Sequence, residues 1–257
     1  MSRNLNWIGY KTIVRKEVTR ILRIWGQTVV PPAITMTLYF IIFGNLIGSR
    51  IGEMGGFDYM QFIVPGLVMM SVMTNSYGNI VSSFFGAKFG RHIEELLISP
   101  LPNWVILAGY VTGALTRGVM VGTVVILVSL FFTRLEIQHP WIMISVLLLT
   151  AVVFAMAGMI NAIFATKFDD IAIIPTFVLA PLIYLGGVFY SIDLLPPFWQ
   201  KVSAFNPILY MVNGFRYGIL GVSDVSLAHA YGIIAVFVIG LASTCLWLLH
   251  RGIGLRS

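Results

Sequence analysis

The sequence predicts an all-α polytopic membrane protein with six transmembrane helices, an N-terminal interfacial amphipathic helix, and re-entrant outer helices between the fifth and sixth spans. Three observations carry this prediction. Hydrophobic residues make up 58% of the 257-residue chain and charged residues only 10%, whereas soluble domains carry about a quarter charged residues. Six apolar runs reach the roughly 20 residues that a helix needs to cross a bilayer. None of them alternates in polarity as the strands of a membrane barrel do.

The first element is the interfacial helix, 5–25. Trp7, Val14, Val18, Ile21, Leu22 and Trp25 recur at helical spacing, with Thr12, Lys16, Thr19, Arg20 and Arg23 opposite. Tryptophan at both ends and a basic opposite face predict a helix lying flat in the membrane interface. Too few residues precede the first span for an independent soluble core. The long polar stretch to Gln27 argues against a cleavable signal peptide.

The spans follow at 28–48, 61–85, 104–132, 141–165, 171–190 and 230–249. Between the second and third lies "RHIEELLISPLP", in which Ile93, Leu96 and Leu97 share one helical face and Pro100 and Pro102 impose a stop. Held at both ends by spans, 91–100 reads either as a rigid lever for a soluble partner, its Leu and Ile filling a groove, or as a solvated surface loop. The outer segment 191–224 is apolar and aromatic but broken at Pro196-Pro197 and Asn206-Pro207. Proline interrupts a helix at each point. Two short helices dipping into the outer leaflet fit this pattern best, and surface aromatic anchors are the other reading. The chain shows no internal repeat and no second domain, so 1–257 reads as a single unit.

Lysine and arginine set the orientation. With the N-terminus inside, the inner segments hold Arg3, Lys11, Arg15, Lys16, Arg20, Arg23, Lys88, Arg91, Lys167, Arg251 and Arg256, against Arg50, Arg134, Lys201 and Arg216 outside. Eleven against four places both termini in the cytoplasm. The net charge of +6 is thereby a topology signal and an attraction to anionic membrane lipid, not a nucleic-acid footprint. The single Cys245 allows no intrachain disulfide.

The chemistry of other membrane classes is missing. All ten acidic residues, Glu17 among them, fall outside the predicted spans, where an ion-coupled carrier needs one inside. The four histidines show no metal-ligand spacing. There is no GxxxxGK[ST] phosphate loop. Arg117 is the one charge within a span. It reads equally as a residue on a watery pathway that meets an anionic group and as one that snorkels to the headgroups.

Four stretches, "QTVVPPAITMTLYFIIFGNLIGSRIG" (27–52), "RHIEELLISPLP" (91–102), "KFDDIAIIPTFVLAPLIYLGGVFYSIDLLPPFWQ" (167–200) and "NPILYMVNGFR" (206–216), resemble the permease subunit of ABC-2 type ABC exporters, in family order over nearly the whole chain. The resemblance implies that Arg91, Glu94, Glu95, Leu96, Leu97, Pro100 and Pro102 form a coupling helix docked on a separate ABC ATP-binding subunit. It further implies a secondary cytoplasmic contact at Lys167, Asp169 and Asp170, and an outer gate containing Phe198, Trp199, Asn206, Pro207 and Arg216. The chain itself would bind no cofactor, with ATP and Mg held by the partner. Two permease copies and two ATPases would form the working unit in a bacterial inner membrane. The expected activity is export of an amphipathic or lipid-like substrate by a non-enzymatic permease; the alternative is an ATP-independent channel or secondary transporter.

Overall fold

A computed structural model describes residues 2–255. Arg256 of the charge count lies outside them, and the Arg3 side chain is likewise not described. The chain is helical nearly throughout: α1 (Ser2–Arg23), α2 (Trp25–Ile51), α3 (Tyr59–Phe89), α4 (His92–Ile98), α5 (Asn103–Ser129), α6 (Pro140–Phe164), α7 (Asp170–Tyr184), α8 (Pro197–Ala204), α9 (Pro207–Leu220) and α10 (Leu227–Arg251). Among the described residues, α2, α5, α6 and α10 are long and apolar enough to cross a membrane.

The centre of the molecule is α3, which packs against α5, α6 and α9. It is 31 residues long, about 46 Å at 1.5 Å per residue, and 22 of those residues are buried. That burial explains its composition. Ser71, Ser76, Asn79 and Ser83 lie along it and are all buried, which is tolerable because they face other helices and not lipid. Gly118 and Gly122 of α5 let the two helices meet closely: a Cβ at Gly118 would collide with Ser76 Oγ, and one at Gly122 would fall 2.8 Å from Val72.

The first helix departs from its expected orientation. Its buried residues are Ile13, Glu17 and Ile21, while Trp7, Leu22 and Trp25 are more than half exposed. Most of the apolar stripe seen in the sequence therefore lies on the less covered side, with Ile21 at its buried edge. The side that packs lies about a quarter-turn away and seats on α5, where Gly109 and Gly113 leave room for Ile13 and Glu17. Glu17, expected outside the spans, is fully buried there. Hydrophobic periodicity could not show this, because it marks the apolar side of a helix without saying what covers that side.

Two further differences are local. The fifth apolar run stops being helical at Tyr184 and not at Tyr190. The chain turns through Gly187, at φ 71°, and Val188 lies so close to Gly66 that a Cβ there would collide with its carbonyl oxygen. At 15 residues, Asp170–Tyr184 rises only about 22 Å, less than a hydrocarbon core. Between α2 and α3 a hairpin, β1 (Glu53–Met54) and β2 (Phe57–Asp58), pairs Glu53 with Asp58 around Gly55-Gly56, both at positive φ. A Gly-Gly pair in a two-residue turn is the hairpin signature.

Candidate functional site

The segment between α3 and α5 builds the most distinctive surface. The last turn of α3 is clamped by Lys88, whose Nζ donates to Ile163 O and Ala165 O, each at 2.6 Å. Those carbonyls end α6, where a cation is doubly favoured by hydrogen bonding and by the helix dipole. Burial pushes the Lys88 ammonium below its ordinary pKa, and the nearby Asp170 carboxylate offsets part of that. The chain then reverses at Arg91, the one non-glycine residue at positive φ among those described (φ 59°). A side chain held in that region costs on the order of 1 kcal/mol, so the reversal is imposed by the packing of the next helix.

That helix is α4, anchored by Ile93, 1% exposed, in a cluster with Phe84, Phe85, Ile106, Tyr110 and Met159. Leu96 and Leu97 pack against the same cluster. The apolar face expected to fill a partner's groove instead holds α4 to its own protein, because a seven-residue helix has too little internal stability to stand alone. The outward face carries Arg91, Glu94, Glu95 and Ile98, the last 85% exposed. Glu94 and Glu95 occupy the first turn, where the helix dipole stabilises negative charge. Pro100 is exposed, and Pro102 is the extended residue from which α5 starts.

Beside α4 opens a cleft of about 390 Å³ lined by Phe85, Lys88, Phe89, Arg91, Glu94 and Phe164, among others. Phe168 closes one flank, edge-on to Phe85 at 5.1 Å and to Phe89 at 4.9 Å. Lys167 and Asp169 are exposed. Asp170 is turned inward: its Oδ2 accepts from Thr166 N at 2.8 Å, Thr166 Oγ1 at 2.8 Å and Lys167 N at 2.9 Å. These bonds hold its carboxyl below the usual range, so Asp170 shapes the turn and Lys167 and Asp169 present it. Sequence reasoning missed the carbonyl clamp by Lys88 and the aromatic flank. The second was signalled by phenylalanines at 85, 89 and 168 bordering the charged stretches.

At the opposite end the predicted gate residues separate into two kinds. Phe198 and Trp199 are exposed and pack edge-to-face at 5.4 Å. Asn206 caps α9, accepting from Ile208 N at 3.0 Å while its Nδ2 donates to Leu182 O at 2.6 Å, and Pro207 is the first residue of α9. Arg216, expected as an outer cation, is fully buried. It donates to Gly187 O at 2.6 Å and to Asn213 Oδ1 at 3.3 Å, and stacks 4.0 Å over the Phe62 ring. Asp224 accepts from Ser191 Oγ and Ile192 N beside it. Arg216 and Asn206 thus tie α9 to the last turn of α7 and the turn that follows it. Arg117 lies midway along α5 near Arg20. No cluster among the described residues could hold a metal ion.

The family description ABC-2 type transporter matches residues 9–220. The chain is 60% identical over 255 residues to the Inner membrane transport permease YadH of Escherichia coli (strain K12), covering 99% of each chain. It is 24% identical over 203 residues to Nodulation protein J of Rhizobium leguminosarum bv. viciae, covering 79% of this chain and 78% of that protein. With a match over most of its length and a relative of that similarity, the chain belongs to the ABC-2 type transporter family.

Proposed function

We propose that this chain is the membrane-spanning, non-enzymatic subunit of an ATP-driven exporter in a bacterial inner membrane. In this reading α3, and α7 together with the apolar turn that follows it to Tyr190, join the four long apolar helices as further crossings, α1 lies along the cytoplasmic interface, and α8 and α9 dip into the outer leaflet. A separate ABC ATP-binding subunit supplies ATP and Mg chemistry, and two copies of each chain form the working unit. The observation that carries the reading is α4: a short helix, immobilised through Ile93, Leu96 and Leu97, that presents Glu94, Glu95 and Ile98 outward between two long helices. Such an element transmits displacement. Force applied at the exposed face passes through Ile93 and the Lys88 clamp into α3, α5 and α6 together.

An apolar groove of about 280 Å³ runs between α3 and α7, lined by Met70, Thr74, Tyr77, Ser82, Leu179 and Ile183 among others. Its few hydroxyls among hydrocarbon suit an amphipathic substrate, with the second copy closing the open side. Buried Glu17 revives the carrier alternative, since that class needs an enclosed acid. Its partners weigh against it: Arg20 at 3.0 Å and Ser83 at 2.5 Å leave no oxygen facing a pathway. Co-purification from native membranes in mild detergent tests the proposal. A stoichiometric ATP-binding subunit that is lost in Glu94→Lys/Glu95→Lys is the expected result. Clean absence of such a subunit from intact, folded wild type would overturn it.

A further inference from the structure

The exporter reading leaves Arg117 without a task, and its surroundings are unusual. Helix α1 runs alongside the first half of α5. A Cβ at Gly109 would meet Ile13 and one at Gly113 would meet Glu17, so Arg20, one turn further on, comes level with Arg117. The Glu17 and Arg20 charges cancel, with Oε2 accepting from Nη2 at 3.0 Å. The same Nη2 donates to Asn79 Oδ1 at 2.8 Å. Arg117 has no such counterpart. Arg20–Glu17 is the one ion pair among the described residues, and Arg20 acts on Arg117 as a neighbouring like charge.

The sealed polar atoms around Arg117 share one property. Nε of Arg117, Nε of Arg20, Nδ2 of Asn79 and Oγ of Ser76 are buried without a partner, and each is able to donate a hydrogen bond. Ser76 and Asn79 are both 0% exposed, and Ser76 lies against Gly118, the residue after Arg117. Water could accept from these donors but could not neutralise the surplus positive charge. An oxyanion with several acceptor oxygens does both, and guanidinium groups match phosphate geometry.

The position identifies the source of that phosphate. Just beyond Arg20, Leu22 is 58% and Trp25 62% exposed, and the uncovered apolar side of α2 continues through Val30 and Ile34. Tryptophan favours the membrane–water boundary, so Trp25, just after the basic Arg20 and Arg23, puts the Arg20 side of the cluster towards the headgroups with a hydrocarbon-compatible surface beside it. In the orientation set by the positive charges this is the cytoplasmic leaflet, where anionic lipid collects. We infer that Arg117, with Arg20, Ser76 and Asn79, forms a site for the phosphate of an anionic phospholipid at the junction of α1, α3 and α5. The inference rests on the proposed orientation and is independent of ATP coupling.

The test uses full-length protein in phosphatidylcholine nanodiscs doped with phosphatidylglycerol, with lipid retained after release into neutral detergent read by native mass spectrometry. Wild type is expected to retain phosphatidylglycerol over phosphatidylcholine. Arg117→Gln should lower that preference about tenfold, the loss of one charge-assisted contact. Arg117→Lys and Ser76→Ala should lower it less, and Arg23→Gln should leave it unchanged. Equal retention of both lipids by wild type would overturn the site without reliance on any variant. So would displacement of the lipid by millimolar inorganic phosphate, which would make it a soluble-anion site, or an equal loss in Arg23→Gln, which would make it a diffuse basic surface. Labelling of Asn4→Cys by an impermeant maleimide separates the two failures: reaction from the periplasmic side overturns the orientation itself.

Discussion

Two segments of this protein interrupt its long helices, and they solve opposite problems. At one end α4 keeps an apolar face inward and turns Arg91, Glu94, Glu95 and Ile98 out. At the other, α9 buries 11 of its 14 residues, Arg216 included. Packing of Ile93 holds α4, whereas hydrogen bonds from Asn206 and Arg216 to Leu182 and Gly187 hold α9. The lesson lies in where each puts its charge. Exposed charge costs little and serves a surface meant to be met by another molecule. The buried Arg216 donates to Gly187 and Asn213 and stacks on Phe62, so its charge ties the protein to itself. The α4 end turns its charge outward, and the α9 end encloses its own.

The sharpest way to break this contrast is Arg216→Ala. It removes the bonds to Gly187 and Asn213 and the stack on Phe62, and we expect a loss of about 3 kcal/mol or more. Thermal unfolding in detergent reads it, and a near-wild-type midpoint would mean that α9 is not held by its buried charge. Next comes Ile93→Ala, at about 2–4 kcal/mol, which should free α4 to exchange its amide protons while α9 stays protected. Simultaneous loosening of both ends would show a single cooperative unit.

Glu94→Lys/Glu95→Lys should leave stability unchanged and weaken binding of the ATP-binding subunit about tenfold. A stability loss comparable to that of Ile93→Ala would make these residues structural. The smallest effect is pH-dependent. Asp170 has a folded pKa held below its ordinary 3.8, so its contribution is complete above the ordinary value and is lost as pH falls through the folded one. Amide protection at Thr166 and Lys167 should therefore survive mild acid and fail only below the ordinary carboxylate pKa. Loss near neutrality would exclude the Asp170 bonds as its cause.

Legibility in the sequence followed the physics of each element. The ends of α2, α3, α5, α6 and α10 fall within four residues of the apolar runs, because hydrocarbon excludes charge regardless of packing. The fifth run misled because "LGGVFY" is as apolar as the helix before it. That helix ends at Tyr184, and the turn through Gly187 brings Val188 close to Gly66, a contact between distant residues. The α4 segment was recognisable from its prolines and charges, but not the inward use of Leu96 and Leu97. A two-sided helix has an apolar side whether that side meets its own protein or another.

Composition and periodicity by themselves determined that the chain is a helical membrane protein, roughly where its long helices begin and end, and which segments carry charge. Each is a preference of a local stretch for water or hydrocarbon, so the stretch alone decides it. Tertiary structure decided which side of α1 is covered, that Glu17 and Arg216 are enclosed, and that Nε of Arg117 is buried without a partner. Those outcomes depend on the relative placement of helices far apart in the chain. A carboxylate or guanidinium carries the same letter in the sequence whether it ends in water, in an ion pair, or in want of a partner.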